Sequence, residues 1–222
     1  MKPRERVLAA LDHKEVDRPP FQATFTPEFA VRLREKLNFP EKRPHDPHSF
    51  RWSGYELEKA TGQDALQFSL GWSTNYYLDD KPYLDDWGID WKIAFYETAF
   101  GNGFYTNIGK HPLKDPSLLD QYRAPDPNDP EIYKGLERLI KEEQSQYYII
   151  GRIHCTIFET AWALRGMVEM FTDMASKKEQ ANRILDIPYQ YHLQVAKNMA
   201  KRGVDMIWLG DDVGGQNCML IS

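Results

Sequence analysis

The tightest constraint on this chain is a spacing in its second half. Two short apolar runs, Tyr147 to Ile153 and Val204 to Leu209, are separated by a long stretch of helical pattern. Each run is long enough for a strand and too short for a helix, and the first is nearly continuous in its apolar character, as in a parallel sheet covered on both faces. Between them, Thr160 to Leu164 reads as helix and Gly166 breaks or restarts it. Ser176-x-x-Glu179 is a capping box for a long helical region that reaches Lys201-Arg202 and is stopped by Gly203. Pro188 is expected to kink that region or split it. The order strand, helix, helix, strand predicts parallel βα units.

The second run ends in Gly210-Asp211-Asp212-Val213-Gly214-Gly215-Gln216-Asn217. This reads as a buried strand that delivers two carboxylates into a glycine-rich loop. In barrels and open α/β folds, ligands and chemistry sit at that end of the strands. Only seven residues follow Gly215, so the expectation is that residues 1–222 are part of a longer chain or pair with another one. A half barrel would otherwise present unpaired backbone groups at its last strands.

The first half is less regular. Pro3 opens a short helix with Val7, Leu8 and Leu11 on one face and Arg4, Glu5 and Arg6 on the other, closed by Asp17-Arg18-Pro19-Pro20. Phe21 to Phe25 is predicted as a strand. Thr26-Pro27-Glu28 is a cap, an N1 proline and a first-turn acid for a helix carrying Phe29, Leu33 and Leu37. Residues 40–50 read as loop. Ser53 and Glu56 fit a capping box for a helix ending near Thr61-Gly62, and Ala65 to Leu70 reads as strand. Residues 72–108 are rich in Trp, Tyr, Asp and Gly and predict a β-hairpin or flap insertion. Residues 111–130, with five prolines, read as an ordered loop, and Asp129-Pro130-Glu131 opens the next helix.

Four strands, 21–25, 65–70, 147–153 and 204–209, are enough for half of a (β/α)8 barrel, and equally for a small open sheet with an antiparallel insertion. The expected fold class is α/β, a TIM-barrel type of which the chain covers about half, with 1–222 as one incomplete domain. Composition narrows the function. With 28 basic and 33 acidic residues the formal charge is -5, and no basic block is present, so nucleic acid is a poor partner. No stretch approaches 18 apolar residues, and the N-terminus is polar without an apolar core, so neither a membrane-spanning helix nor a secretory signal is expected and the cytoplasm is the default. The two cysteines, Cys155 and Cys218, cannot make a disulfide framework and show no C-x2-C spacing.

The run Pro3-Arg4-Glu5-Arg6-Val7-Leu8-Ala9-Ala10-Leu11 followed by Asp17-Arg18-Pro19-Pro20, then Asp86-Trp87-Gly88-Ile89, the Pro125-Asp126-Pro127 turn and Gly210-Asp211-Asp212-Val213-Gly214-Gly215-Gln216, together resemble the N-terminal part of uroporphyrinogen decarboxylase-like proteins. The resemblance implies a (β/α)8 barrel and one of two chemistries, tetrapyrrole decarboxylation or zinc-dependent methyl transfer between a corrinoid and a thiol or other acceptor. In the decarboxylases, Arg-Pro leads into a strand and a Met-Arg-Gln-Ala-Gly-Arg loop whose arginines hold substrate carboxylates. Here Arg18-Pro19 is present, but Gln22-Ala23-Thr24-Phe25-Thr26-Pro27 follows, and the paired arginines are missing. That argues against a substrate with several carboxylates. The family's zinc ligands, a His-x-Cys pair and a later Cys, belong to the second half of the barrel, so the metal ligands are unknown here.

The leading reading is a methyltransferase whose partners are a small-molecule or tetrapyrrole/corrinoid ligand and a corrinoid protein. Tetrapyrrole decarboxylation is the alternative enzyme, needing neither group, and a non-catalytic binding or assembly module is the third. For the enzyme, Asp211, Asp212 and His154 are the catalytic candidates. One aspartate is expected to face the ligand while the other bonds the backbone of the turn, and His154 follows the other buried strand. Glu159 and Cys155 are weaker candidates, and His154, Cys155 and Cys218 nominally make a zinc set of no recognised spacing. Arg18, Trp72 and Tyr76 are the cofactor-binding candidates: a cation for an acidic group and an aromatic platform for a flat ligand.

Overall fold

The computed structural model describes residues 1–39, 55–70, 81–98 and 101–221. Helix α1 (Pro3–Leu11) starts at a proline that needs no N–H partner, and the Glu5 carboxylate accepts from the Lys2 N–H at 3.1 Å. Residues Phe21 to Phe25 form no strand. The segment hangs on the residues before the first sheet strand instead. Phe21 N–H donates to the Asp64 carboxylate (2.8 Å), Asp64 N–H to the Phe21 carbonyl (2.8 Å), and Ala23 N–H to Gln63 (3.0 Å). Helix α2 (Pro27–Lys36) has the Thr26 hydroxyl as its cap, and the short α3 (Glu56–Ala60) leads to Gly62. Ser53 and the loop at 40–50 lie outside the described residues.

Strands β1 (Ala65–Leu70), β5 (Tyr148–Ile153) and β6 (Met206–Leu209) form a parallel sheet in the order β1-β5-β6. Between β1 and β5 the chain builds a second, antiparallel sheet: β2 (Tyr83–Leu84), β3 (Asp90–Thr98) and β4 (Gly101–Lys110), the last two paired along their length from Thr98 opposite Gly101. Helix α4 (Lys134–Glu143) precedes β5, and α5 (Phe158–Arg165), α6 (Met167–Ser176) and α7 (Lys178–Lys201) connect β5 to β6. The fold is α/β. Among the described residues the parallel sheet has three strands rather than the four expected, because 21–25 stays outside it.

One local expectation changes in the helices. Ser176 does not cap α7; its hydroxyl turns back to the Thr172 carbonyl at 2.7 Å and finishes α6, a bond that serine side chains make readily at helix ends. Pro188 sits inside α7 without splitting it, held by a helix buried along one side at Ala181, Ile184, Val195 and Met199. Gly166 takes φ +100 at the junction of α5 and α6, a conformation in which a side chain is strained.

The core lies between the sheet and the helices. Leu66, Phe68, Leu70, Ile149 and Ile153 pack with Leu136, Leu139, Val195 and Met199. A Cβ at Gly151 would stand 2.8 Å from Met199 Sδ, so β5 and α7 touch where the strand has no side chain. Alternation then fixes the other face of the sheet: Gln67 and Ser69 of β1, Ile150 and Arg152 of β5, Met206 and Trp208 of β6.

The N-terminal edge of this sheet is closed by charge. Asp64 and Asp205 stand just before β1 and β6. Arg4 binds the Asp205 carboxylate through both terminal nitrogens, and its N–H meets the Gln146 carbonyl at 2.8 Å. Arg6 bridges Asp64 (2.5 Å) and Asp17 (2.6 Å). The sequence expectation for α1 is thus reversed: Arg6 is 6% exposed, whereas Leu8 and Leu11 are 42% and 52% exposed. The helix docks through its arginines because the strand starts it covers present carboxylates and carbonyls.

Candidate functional site

Strands β5 and β6 are parallel neighbours in register, Ile153 opposite Leu209, so both chains leave the sheet side by side. The Gly210 N–H donates to the Ile153 carbonyl (2.9 Å), and the Thr156 N–H to the Gly210 carbonyl (3.1 Å). His154 extends the ladder through its N–H to the Leu70 carbonyl at 3.1 Å. Cys155 follows with φ 49, an unusual left-handed conformation for a residue with a Cβ. It turns the chain from strand toward α5, and the Thr160 hydroxyl donates to its carbonyl. His154, Cys155, Glu159, Asp211 and Asp212 therefore share one rim.

The two aspartates divide as neighbours on an extended segment should. Asp211 turns inward and caps α5: Oδ2 accepts from the N–H groups of Ile157 (2.8 Å) and Phe158 (2.7 Å), and Oδ1 from that of Glu159 (2.8 Å). Helix α5 has no local side-chain cap. The carboxylate from the next strand supplies it and meets the positive end of the helix. Asp212 points outward and is exposed, while its N–H donates to Glu159 Oε2 at 3.0 Å.

Glu159 is the half-buried acid at the centre of the group. Burial pushes its carboxyl up from the ordinary carboxylate range, and the charges of Asp212 and Asp211 add to the rise; the Asp212 N–H and a hydrogen bond with Cys155 oppose it. The His154 imidazole is pushed down to about 3, first by burial and then by the charge of Arg152. It is a neutral ring throughout the ordinary pH range.

Beneath the rim, on the sheet face opposite the helices, Arg152 lies over the Trp208 indole with its Cζ 4.4 Å from the centroid. Its Nη1 stands 3.5 Å from Gln67 Oε1, and His154 meets the same indole edge-on at 6.1 Å. Sequence reasoning missed Gln67, Arg152 and Trp208. The available signal was Arg152 itself, a cation inside an otherwise apolar strand.

Other candidates fall elsewhere. Arg18 is bound to Asp64 (2.6 and 3.0 Å) and to the carbonyls of Gly62 (2.9 Å) and Pro19 (3.0 Å). That is the N-terminal end of β1, so Arg18 is separated from the rim by the length of a strand, roughly 20 Å, and it staples the edge of the sheet rather than facing a ligand there. Trp72 and Tyr76 lie outside the described residues. Cys218 is exposed in a loop closed by the Gly215 N–H to Cys218 carbonyl bond at 2.7 Å. Among the described residues no group of three or more His, Cys, Asp or Glu is arranged to hold a metal ion, and none of their helices is long and apolar enough to cross a membrane.

No protein-family model and no curated protein matches the sequence. Among solved structures, a methyltransferase from Methanosarcina mazei matches with a TM-score of 0.62 at 17% identity, over 99% of this chain and 61% of that one. The two share a fold. The chain thus spans about three-fifths of the length of that methyltransferase.

Proposed function

We propose that this chain forms part of a methyltransferase of the uroporphyrinogen decarboxylase-like kind, moving a methyl group between a corrinoid and a thiol or other acceptor. One observation carries the reading: β5 and β6 deliver a raised, half-buried carboxyl, Glu159, and a neutral imidazole, His154, to a single rim, in a fold that a methyltransferase shares. The other enzyme reading is weaker on the same ground. On the sheet face beneath that rim Arg152 is the one cation among the described strand residues, and a tetrapyrrole with several carboxylates needs several.

When an acceptor X–H takes a methyl group, the C–X bond forms and the X–H proton must leave. Glu159 is the group at the rim that can receive it, because a carboxylate in a half-buried site holds a proton more firmly than an exposed one. Asp211 keeps the backbone of Glu159 in place, and the Asp212 N–H holds its Oε2. A bound corrinoid would supply a methyl group on a good leaving group, and Trp208, 42% exposed, offers apolar surface of the kind a flat macrocycle covers. The described residues do not fit a zinc site, and no step is routed through one.

The test is methyl transfer by the full-length protein from methylcobalamin to a small thiol, followed by the spectral change on demethylation. Turnover that falls about a hundredfold or more in Glu159→Gln, within the range of a lost general base, supports the reading. Absence of transfer to any thiol, amine or alkoxide acceptor, with the protein folded, refutes it.

A further inference from the structure

His192 is a buried titratable group that the rim chemistry does not use. It lies inside α7 at 4% exposure, and among the described residues neither of its ring nitrogens has a hydrogen-bond partner. Aromatic rings hold it instead. The imidazole lies along the Trp87 indole, with centroids 5.8 Å apart and planes 26° from parallel, and Tyr191 meets the two rings edge-on at 5.0 and 4.7 Å. Trp87 is itself pinned: its N–H donates to Asp85 at 2.9 Å, and its carbonyl accepts from the Tyr122 hydroxyl at 2.9 Å. The slot thus joins α7 to the turn between β2 and β3. It suits a neutral ring, whose faces are covered, although one donor and one acceptor go unpaired. An imidazolium would bring two N–H donors and a charge into the same space.

The surroundings supply no free counter-charge at the pH where one is needed. Burial pushes Asp85 up to about 6, so this carboxyl is already neutral in the acid range, and Asp86 beside it is exposed. Tyr122 and Tyr191 are raised by burial and keep their protons. On α5, Arg165 is spent on Asp173 and Glu159 on the Asp212 N–H. Asp211 is the charge that acts on the ring, and its oxygens already hold three N–H groups of α5. Burial accordingly pushes the imidazole down to about 4, with Asp211 opposing. The gap from 6.5 disfavours the cation in this slot roughly 300-fold relative to the unfolded chain, and attraction to the indole face offsets only part of such a cost. We propose that His192 is an acid-sensitive latch: as a neutral ring it clamps α7 to the Trp87 turn, and when protonated it leaves the slot and releases that turn from the helix. Because its folded value lies below the unfolded one, the clamp is fully present above pH 6.5 and is lost as pH falls toward 4. The latch rests on no part of the methyl-transfer reading and operates whatever reaction the rim carries.

The test is a fluorine NMR titration of the full-length protein labelled with fluorotryptophan, run beside far-ultraviolet circular dichroism. The Trp87 signal is assigned by its loss in Trp87→Phe. As pH falls from 6.5 toward 4, that signal should move to the position of a solvent-exposed indole while the helical signal holds. In His192→Phe, which keeps a ring on Trp87 and takes up no proton, the shift should occur about a pH unit lower or not at all. His192→Gln, which serves if His192→Phe does not fold, should give a Trp87 signal that stays constant over the same range. A Trp87 shift at the parent's pH in either folded variant overturns the proposal. So does a parent whose helical signal is lost before or together with the shift, or whose Trp87 signal stays fixed through pH 4.

Discussion

Replacing Asp211 separates architecture from chemistry at the rim. Its carboxylate accepts three backbone N–H groups at 2.7–2.8 Å, and in Asp211→Ala all three lose their partner. Loss of a helix cap costs about 1 kcal/mol. The N–H groups of Phe158 and Glu159 are part-buried, so water replaces the carboxylate poorly, and each adds about 1 kcal/mol. The Ile157 N–H is exposed and adds little. Asp211→Ala should therefore lose about 3 kcal/mol in urea unfolding, and at about 2–4 °C per kcal/mol for a chain of this length its melting temperature should fall by roughly 6–12 °C. Asp211→Asn retains one oxygen, enough for the Ile157 and Phe158 groups, and should lose about half as much. A folded Asp211→Ala with stability within about 0.5 kcal/mol of the parent would refute the capping argument, and lost activity in that variant would move Asp211 to the ligand.

Two further predictions concern protons. Asp85 is buried, accepts from the Trp87 and Ile89 N–H groups and the Trp91 indole, and is nonetheless raised from 3.8 to about 6, chiefly by burial. The folded protein then binds this proton more tightly than the unfolded chain, so the stability contributed by Asp85 falls as pH rises from about 4 to 6. Urea unfolding at a series of pH values should show that slope, and Asp85→Asn should flatten it; an unchanged slope refutes the assignment. His154 has the opposite sense. Its folded value of about 3 lies below 6.5, so its contribution is present above pH 6.5 and is lost as pH falls toward 3. An NMR titration of the imidazole should show no protonation down to pH 4, and Arg152→Gln should raise the midpoint.

The parallel βα unit was legible because its signals are local. The apolar run at 147–153, the glycine stop at Gly203 and the run before Gly210 each mark an element boundary by composition alone. What failed depended on contacts distant in sequence. Phe21 to Phe25 has the composition of a strand, yet Asp64 and Gln63 take its hydrogen bonds, and no local signal announces them. Helix α1 was read by its leucines, but the strand starts beneath it carry Asp64 and Asp205, and the arginines won. The same limit governed the site. Asp211, Asp212 and His154 are candidates by their place at strand ends. That Asp211 would cap a helix beginning fifty-odd positions earlier, and that its charge would add to the burial that raises Glu159, follows only from β5 and β6 being neighbours.

That adjacency also couples the two residues. Asp211 Oδ1 holds the Glu159 N–H, and the next N–H along, that of Asp212, holds Glu159 Oε2. One short stretch of chain thus fixes the backbone and the side chain of the same glutamate, and the Asp211 charge contributes to raising it. Removing Asp211 should loosen the geometry of Glu159 and lower its carboxyl together. The losses in Asp211→Ala and Glu159→Gln should then fail to add in the double variant, because once the carboxyl is absent its positioning no longer matters. Additive losses in turnover would mean that the two carboxylates act independently, Asp211 on the helix and Glu159 on the ligand, and the rim would lose its unity as a site.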